Sequence, residues 1–425
     1  MNRHATYVFS IVIFTLIFSL SAFAQEVTLR YAFWGDPEVL GIEEEIIKSF
    51  MEDHPHIRVE PIATPWDDHH DRLLTMLAAG DAPDVMRIDN YFLADFAARG
   101  AMRAIDDFIE RDTSFDASEY YFGAMEESNY AGRQWGLPWG FAPYFFMYNK
   151  DMFQQAGLDE PGLNWTIDDF FEKAMKLSQG RGVRRQYGWA GAMEFPPPLL
   201  PWIWSEGGAL LTEDRRELAL DRPESLKALQ FQTDLIHEHQ VAPTPDLLDD
   251  IGDTQLFLTG RVAMTAGMAN SVVVFAQAPF NWDVTVHPGG DHSQTTIWKS
   301  NTIAIGSQTS HPEEAWEFAK YLVGPTSKGM ELYTSSQRIP PQSEHRYLWD
   351  LYASEAPSRI EETVRAILST HGRQLPYRPG WQRFIQELNV ALEEMAYENA
   401  PAKDVIARVK PIVDDILVQT WEEPE

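Results

Sequence analysis

Between Val27 and Ile88 the chain alternates strand-like and helix-like segments, and this alternation restricts its fold more than any other feature. Val27 to Trp34 (VTLRYAFW) is an apolar run broken by Gly35-Asp36-Pro37, the pattern of a buried strand. Amphipathic spacing then predicts a helix from Glu38 to Asp53. Ile57 to Ile62 reads as a second strand, Asp68 to Ala79 as a helix closed by Gly80, and Pro83 to Ile88 as a third strand. Strands separated by helices pair in parallel through crossovers, so the expectation is an α/β fold with a mainly parallel sheet. In such sheets ligands bind beyond the carboxyl ends of the strands. That rule singles out the loops at Trp34, Thr64 and Asp89, and with them Asp36, Trp66 and Asp67.

The chain has 425 residues, and single cores stop growing near roughly 250 to 300 residues, so two lobes are expected. From Tyr130 the aromatic, glycine-rich stretch YAGRQWGLPWGFAPYFFMYNKD suits a crossing from one lobe to the other. Helical spacing resumes at Thr166 to Ser178 and Pro223 to His239. Val262 to Ala266, Asp283 to Val286 and Asn301 to Ser307 read as strands, and Pro312 to Leu322 as a helix with proline in its first turn. The last third is mostly helical, and no internal repeat or low-complexity tract interrupts it.

The first 24 residues read as an export signal: Arg3, an apolar run from Tyr7 to Leu20, then Ser21-Ala22-Phe23-Ala24, with cleavage expected after Ala24. The run is shorter than the roughly 20 residues that cross a bilayer. The sequence contains no cysteine, which excludes disulfides, thiolate zinc sites and thiol catalysis. Position +1 would be Gln25, so a lipid anchor on cysteine is not expected. With 64 acidic against 34 basic residues the formal charge is −30, which argues against a nucleic-acid partner, since that affinity rests on phosphate neutralisation. The 14 Trp, 15 Tyr and 24 Phe are more informative, because aromatic faces pack against the C–H surfaces of sugars.

Four stretches carry a resemblance: AAGDAPDVMRID at Ala78 to Asp89; GLPWGFAPYFFMYNKDMFQQAGLDEP at Gly136 to Pro161, followed by NWTIDDF; FLTGRVAMTAGM at Phe257 to Met268; and HPEEAWEFAKYLVGP at His311 to Pro325. In this order they resemble the family-1 extracellular solute-binding proteins, the sugar-binding components of bacterial ABC importers. The resemblance implies a two-lobed periplasmic-binding-protein fold of type II with the ligand cleft between the lobes. Residues 25–138 with 295–340 would form the N-terminal lobe, and 139–294 with 341–425 the C-terminal one. It also implies a monomeric, periplasmic protein that captures a mono- or oligosaccharide and passes it to inner-membrane ABC permease subunits, with neither metal nor cofactor.

Sugar recognition needs planar polar groups for hydroxyl pairs and aromatic walls. By motif position the candidates are Asp89, Trp139, Tyr144, Met268, Arg378 in PYRPGW, and Ser300 and Asn301 before the returning strand. Trp298 and Glu206, in Glu206-Gly207-Gly208, are weaker, because core packing explains the first equally well and an ordinary turn explains the second better. Asp67-Asp68-His69-His70-Asp71 suggests a metal cluster, but consecutive residues at a helix start diverge, and acids there suit the helix dipole. Two other functions stay open: binding of a glycerol phosphodiester or acidic oligosaccharide through Arg87, Arg338 and Arg378, and glycoside hydrolysis by paired carboxylates.

Overall fold

The apolar runs near the N-terminus build the centre of the first sheet. In the computed structural model, which describes residues 26–35, 37–335, 339–342, 345–353 and 357–420, Val27–Trp34 forms β1, Pro37–Asp53 α1, Ile57–Thr64 β2, Trp66–Ala78 α2, Val85–Asp89 β3 and Asn90–Ala98 α3. β2 and β3 flank β1, and both pairings are parallel. Apolar side chains leave both faces of this sheet. Leu29, Tyr31 and Phe33 pack with Ile46 and Phe50 of α1, whereas Ala32 and Met86 pack with Leu73, Leu93 and Phe96 of α2 and α3. Burial on both faces explains why β1 is a continuous apolar run rather than an alternating one.

The rest of the chain supplies the strands that join the lobes. Leu137–Asn149 is β4, Tyr187–Ala190 β5, Val262–Met268 β6, Trp282–Thr285 β7 and Thr296–Gly306 β8. β8 lies antiparallel to β3 and to the first half of β4. The second half of β4 runs antiparallel to both β6 and β7, and β5 is parallel to β6. The parallel pairings expected from the alternation therefore flank a central antiparallel ribbon. Two sheets, one per lobe, meet along β4 and β8, and the fold is α/β with two lobes.

β4 is longer than its composition suggests. Pro138, Pro143 and Gly140, which has φ 71°, break the usual strand pattern, yet Tyr144 to Tyr148 pair continuously with β6. Where the ribbon changes sheets, its register shifts between Lys299 and Asn301, and the Ser300 hydroxyl donates to the Gly140 carbonyl at 2.8 Å. After β8 come the helices α4 (Pro312–Val323), α5 (Trp381–Glu398) and α6 (Ala402–Gln419). Ala315, Phe318, Ala319 and Leu322 of α4 are buried on the first sheet, as their spacing implies. α5 and α6 belong to the largest apolar cluster, around the second sheet. Among the described residues, no helix is long and apolar enough to cross a membrane, and no group of His, Asp and Glu could hold a metal ion.

Candidate functional site

β1 and β3 are parallel neighbours, so their carboxyl ends deliver Trp34 and Asp89 to the same edge. β8 pairs with β3 there, setting Asn301 opposite Asp89, and β4 sets Trp139 opposite Asn301. Trp66 opens α2 beside them, and Met268 arrives from the end of β6 in the other sheet. Trp34, Trp66, Asp89, Trp139, Met268, Ser300 and Asn301 line one cavity of about 280 Å3 between the lobes.

Asp89 is the polar centre of this cavity. It caps α3, its Oδ1 accepting from the Tyr91 backbone N–H at 3.1 Å, and the Trp66 indole Nε1 donates to Oδ2 at 3.2 Å. Lys299 Nζ bonds both carboxylate oxygens, at 2.6 and 2.7 Å, and lies 4.0 Å above the Tyr91 ring. Burial would raise the Asp89 pKa, but the Lys299 ammonium outweighs it and holds the carboxyl below its usual range. The Asp89 N–H donates to His70 Nε2 at 3.0 Å, which assigns the neutral form to this buried ring. Burial pushes His70 down to about 3 and His69, bonded to the Arg87 carbonyl at 2.9 Å, down to about 4. Asn301 Oδ1 is a buried acceptor with no hydrogen-bond partner, an open valence at the cavity wall.

The tryptophan walls are held from beneath by Arg87. Its guanidinium lies 3.8 Å from the Trp139 ring centroid and donates to the Trp34 carbonyl at 3.1 Å. Fully buried, it stays charged through its ion pair with Glu43 and donates further bonds to the Tyr31 and Tyr333 hydroxyl oxygens, each at 3.0 Å. Trp34 and Trp139 meet edge to face at 6.1 Å.

The remaining candidates lie elsewhere. Asp67 is exposed in the first turn of α2, serving the helix dipole. Tyr144 is buried on β4 and packs into the second lobe's core. Trp298 packs against Gly123 and Gly372, where no Cβ would fit beside its ring. Glu206 forms an ion pair with Lys227 beside a separate cavity containing Phe231 and Asp234. Arg378 is a correction of a different kind: it spends its guanidinium on the Leu417 and Arg215 carbonyls, closing the end of α6. Exposed backbone acceptors at a helix C-terminus attract such a cation irrespective of any ligand. Asp36 and Arg338 lie outside the described residues.

Sequence reasoning missed Tyr91, Asn270 and above all Lys299. Lys299 adjoins Ser300 and Asn301 in the chain, so its place on the returning strand was a usable indication.

The family model of bacterial extracellular solute-binding proteins matches residues 36–329. The chain belongs to that family. An uncharacterized lipoprotein of Streptomyces antibioticus is 27% identical over 310 residues, covering 70% of this chain and 67% of its own length. An erythritol/L-threitol-binding protein of Mycolicibacterium smegmatis is 24% identical over 314 residues, covering 67% and 64%. In fold, the chain matches an ABC substrate-binding protein from Listeria monocytogenes in complex with cycloalternan, with TM-score 0.83 and 23% identity over 92% of this chain and 99% of that one.

Proposed function

We infer that this chain is the sugar-capturing component of an ABC importer, binding a neutral carbohydrate between its lobes and handing it to membrane permease subunits. The observation that carries this reading is the convergence of three tryptophans with Asp89 and Asn301 on one cavity bounded by both lobes. Aromatic walls with a few placed polar groups are what a sugar's alternating C–H and hydroxyl surface requires. The names of the erythritol/L-threitol-binding relative and the cycloalternan-bound neighbour support the same ligand class.

Neutrality follows from charge. Arg87 is committed to Glu43, Arg378 to backbone carbonyls, and Lys299 to Asp89. No uncompensated cation among the described lining residues is left for a phosphate or uronate. Hydrolysis is disfavoured because glycosidases need two carboxyl groups roughly 5 to 9.5 Å apart, and Asp89 is the one carboxylate among the described residues lining the cavity. On this reading the protein works as a periplasmic monomer, with lobes of residues 25–138 with 295–340 and 139–294 with 341–425.

A thermal-shift screen against neutral, acidic and phosphorylated sugars tests the reading, since a ligand bound only by the folded state stabilises it. Neutral sugars should raise the melting temperature and be recovered intact. Stabilisation by acidic or phosphorylated sugars alone would overturn neutrality, and release of shorter sugars would restore the hydrolase.

A further inference from the structure

The Asp89 cavity does not end at Trp66. A second opening of about 500 Å3 runs from Trp66 and Tyr91 to the first turns of α5, and these two rings line both spaces. The inner cavity, about 280 Å3, is at the lower limit of ligand pockets, which span roughly 300 to 1,000 Å3. Its outer continuation is walled on the far side by the second lobe.

Trp66 is 42% exposed, a large apolar surface left in water. Its indole is nevertheless fixed in direction by the bond from Nε1 to Asp89. A ring that lines both spaces, with its indole N–H anchored on Asp89, offers a stacking platform between them. Opposite it, Gln382, Gln386, Asn389 and Glu393 recur at spacings of one helical turn and form one stripe of α5 along the groove. Asn389 is already used, bonding the Phe195 backbone at 2.8 and 3.1 Å and so bracing that wall. Gln382 and Gln386 each offer a donor and an acceptor without charge, the complement of a hydroxyl pair. No Lys or Arg is among the described residues lining the groove.

We propose that the ligand is a neutral oligosaccharide of two or more units, its inner unit at Asp89 and Asn301 and its outer units crossing Trp66 to the glutamine stripe of α5. This rests on the carbohydrate reading above and adds chain length to it. The groove rewards length because each added unit meets a preformed aromatic and amide surface.

Calorimetric titration with gluco-, manno-, galacto- and arabino-oligosaccharides of one to four units tests it. In the series that binds, affinity should rise at least tenfold from one unit to three. The Gln382→Ala/Gln386→Ala variant should bring the three-unit ligand down towards the wild-type affinity for one unit, with its melting temperature showing that it is folded. Equal affinity for one and three units, or a length gain that survives the double substitution, overturns the groove while leaving sugar binding in place. Absence of binding by every series overturns the carbohydrate reading as well.

Discussion

Asp89 combines two functions at the residue scale: it caps α3 and holds Lys299 in the cavity. Asp89→Asn keeps the shape but loses the charged acceptor, so sugar affinity should fall by about 1.5 to 3 kcal/mol in calorimetry. Wild-type affinity in that variant would remove Asp89 from the site. Arg378→Ala should do the reverse, lowering stability by about 1 to 3 kcal/mol because carbonyls at the end of α6 lose their donor, with affinity unchanged. Three buried titratable groups near the cavity predict a pH response. His69 and His70 are held neutral, at about 4 and about 3 against 6.5 when unfolded, so the unfolded chain binds more protons and stability falls as pH drops below 6.5. Glu127 acts with the opposite sign. Burial pushes its pKa up to about 8, so the native state keeps a proton that the unfolded chain releases, and stability is lost as pH rises towards 8. Thermal melts of Glu127→Gln should show a flatter decline between about pH 6.5 and pH 8; a slope equal to wild type would mean that Glu127 is already ionised when folded.

At the scale of elements, β4 and β8 hold the two sheets together, and their closeness depends on Gly136. A Cβ there would lie 2.3 Å from the Ile303 carbonyl oxygen, a backbone atom that cannot turn aside. Gly136→Ala should therefore cost about 1 to 3 kcal/mol, read as a lower denaturant midpoint. An unchanged midpoint would show that the ribbon separates without cost. The early elements were legible because their periodicity is local: β1 spans Val27–Trp34 as read, and α1 and α4 differ from expectation by one residue at an end. β8 was not, beginning at Thr296 rather than Asn301. Its first residues, TIWKS, lack an apolar alternation because they pair across the junction instead of lining one face of a core.

For the whole molecule, a cavity with walls from both lobes and a ribbon of few strands between them favours closure on the ligand. Hinge closure is general among periplasmic binding proteins. Solution scattering should record a smaller radius of gyration at saturating sugar. An unchanged radius, with calorimetry confirming saturation, would mean that the free protein is already closed or that the lobes do not move.

What the sequence determined by itself was the order and kind of elements, and hence which loops meet at the carboxyl edge of the first sheet: Trp34, Trp66 and Asp89 could be named from local pattern alone. Periodicity records which face of an element is apolar. It does not record what stands opposite. The pairing of Lys299 with Asp89 joins residues 210 positions apart and depends on β8 lying antiparallel to β3 in one register. The same limit applies to Arg378, whose cation is drawn away from the cleft by the carbonyls of a helix packed beside it, and to Trp298 and Tyr144, which pack with the second lobe's core instead of lining the cavity. Sheet order, register and the competition of nearby partners decided those roles, because each is set by free energies summed over neighbours that only the folded chain brings together.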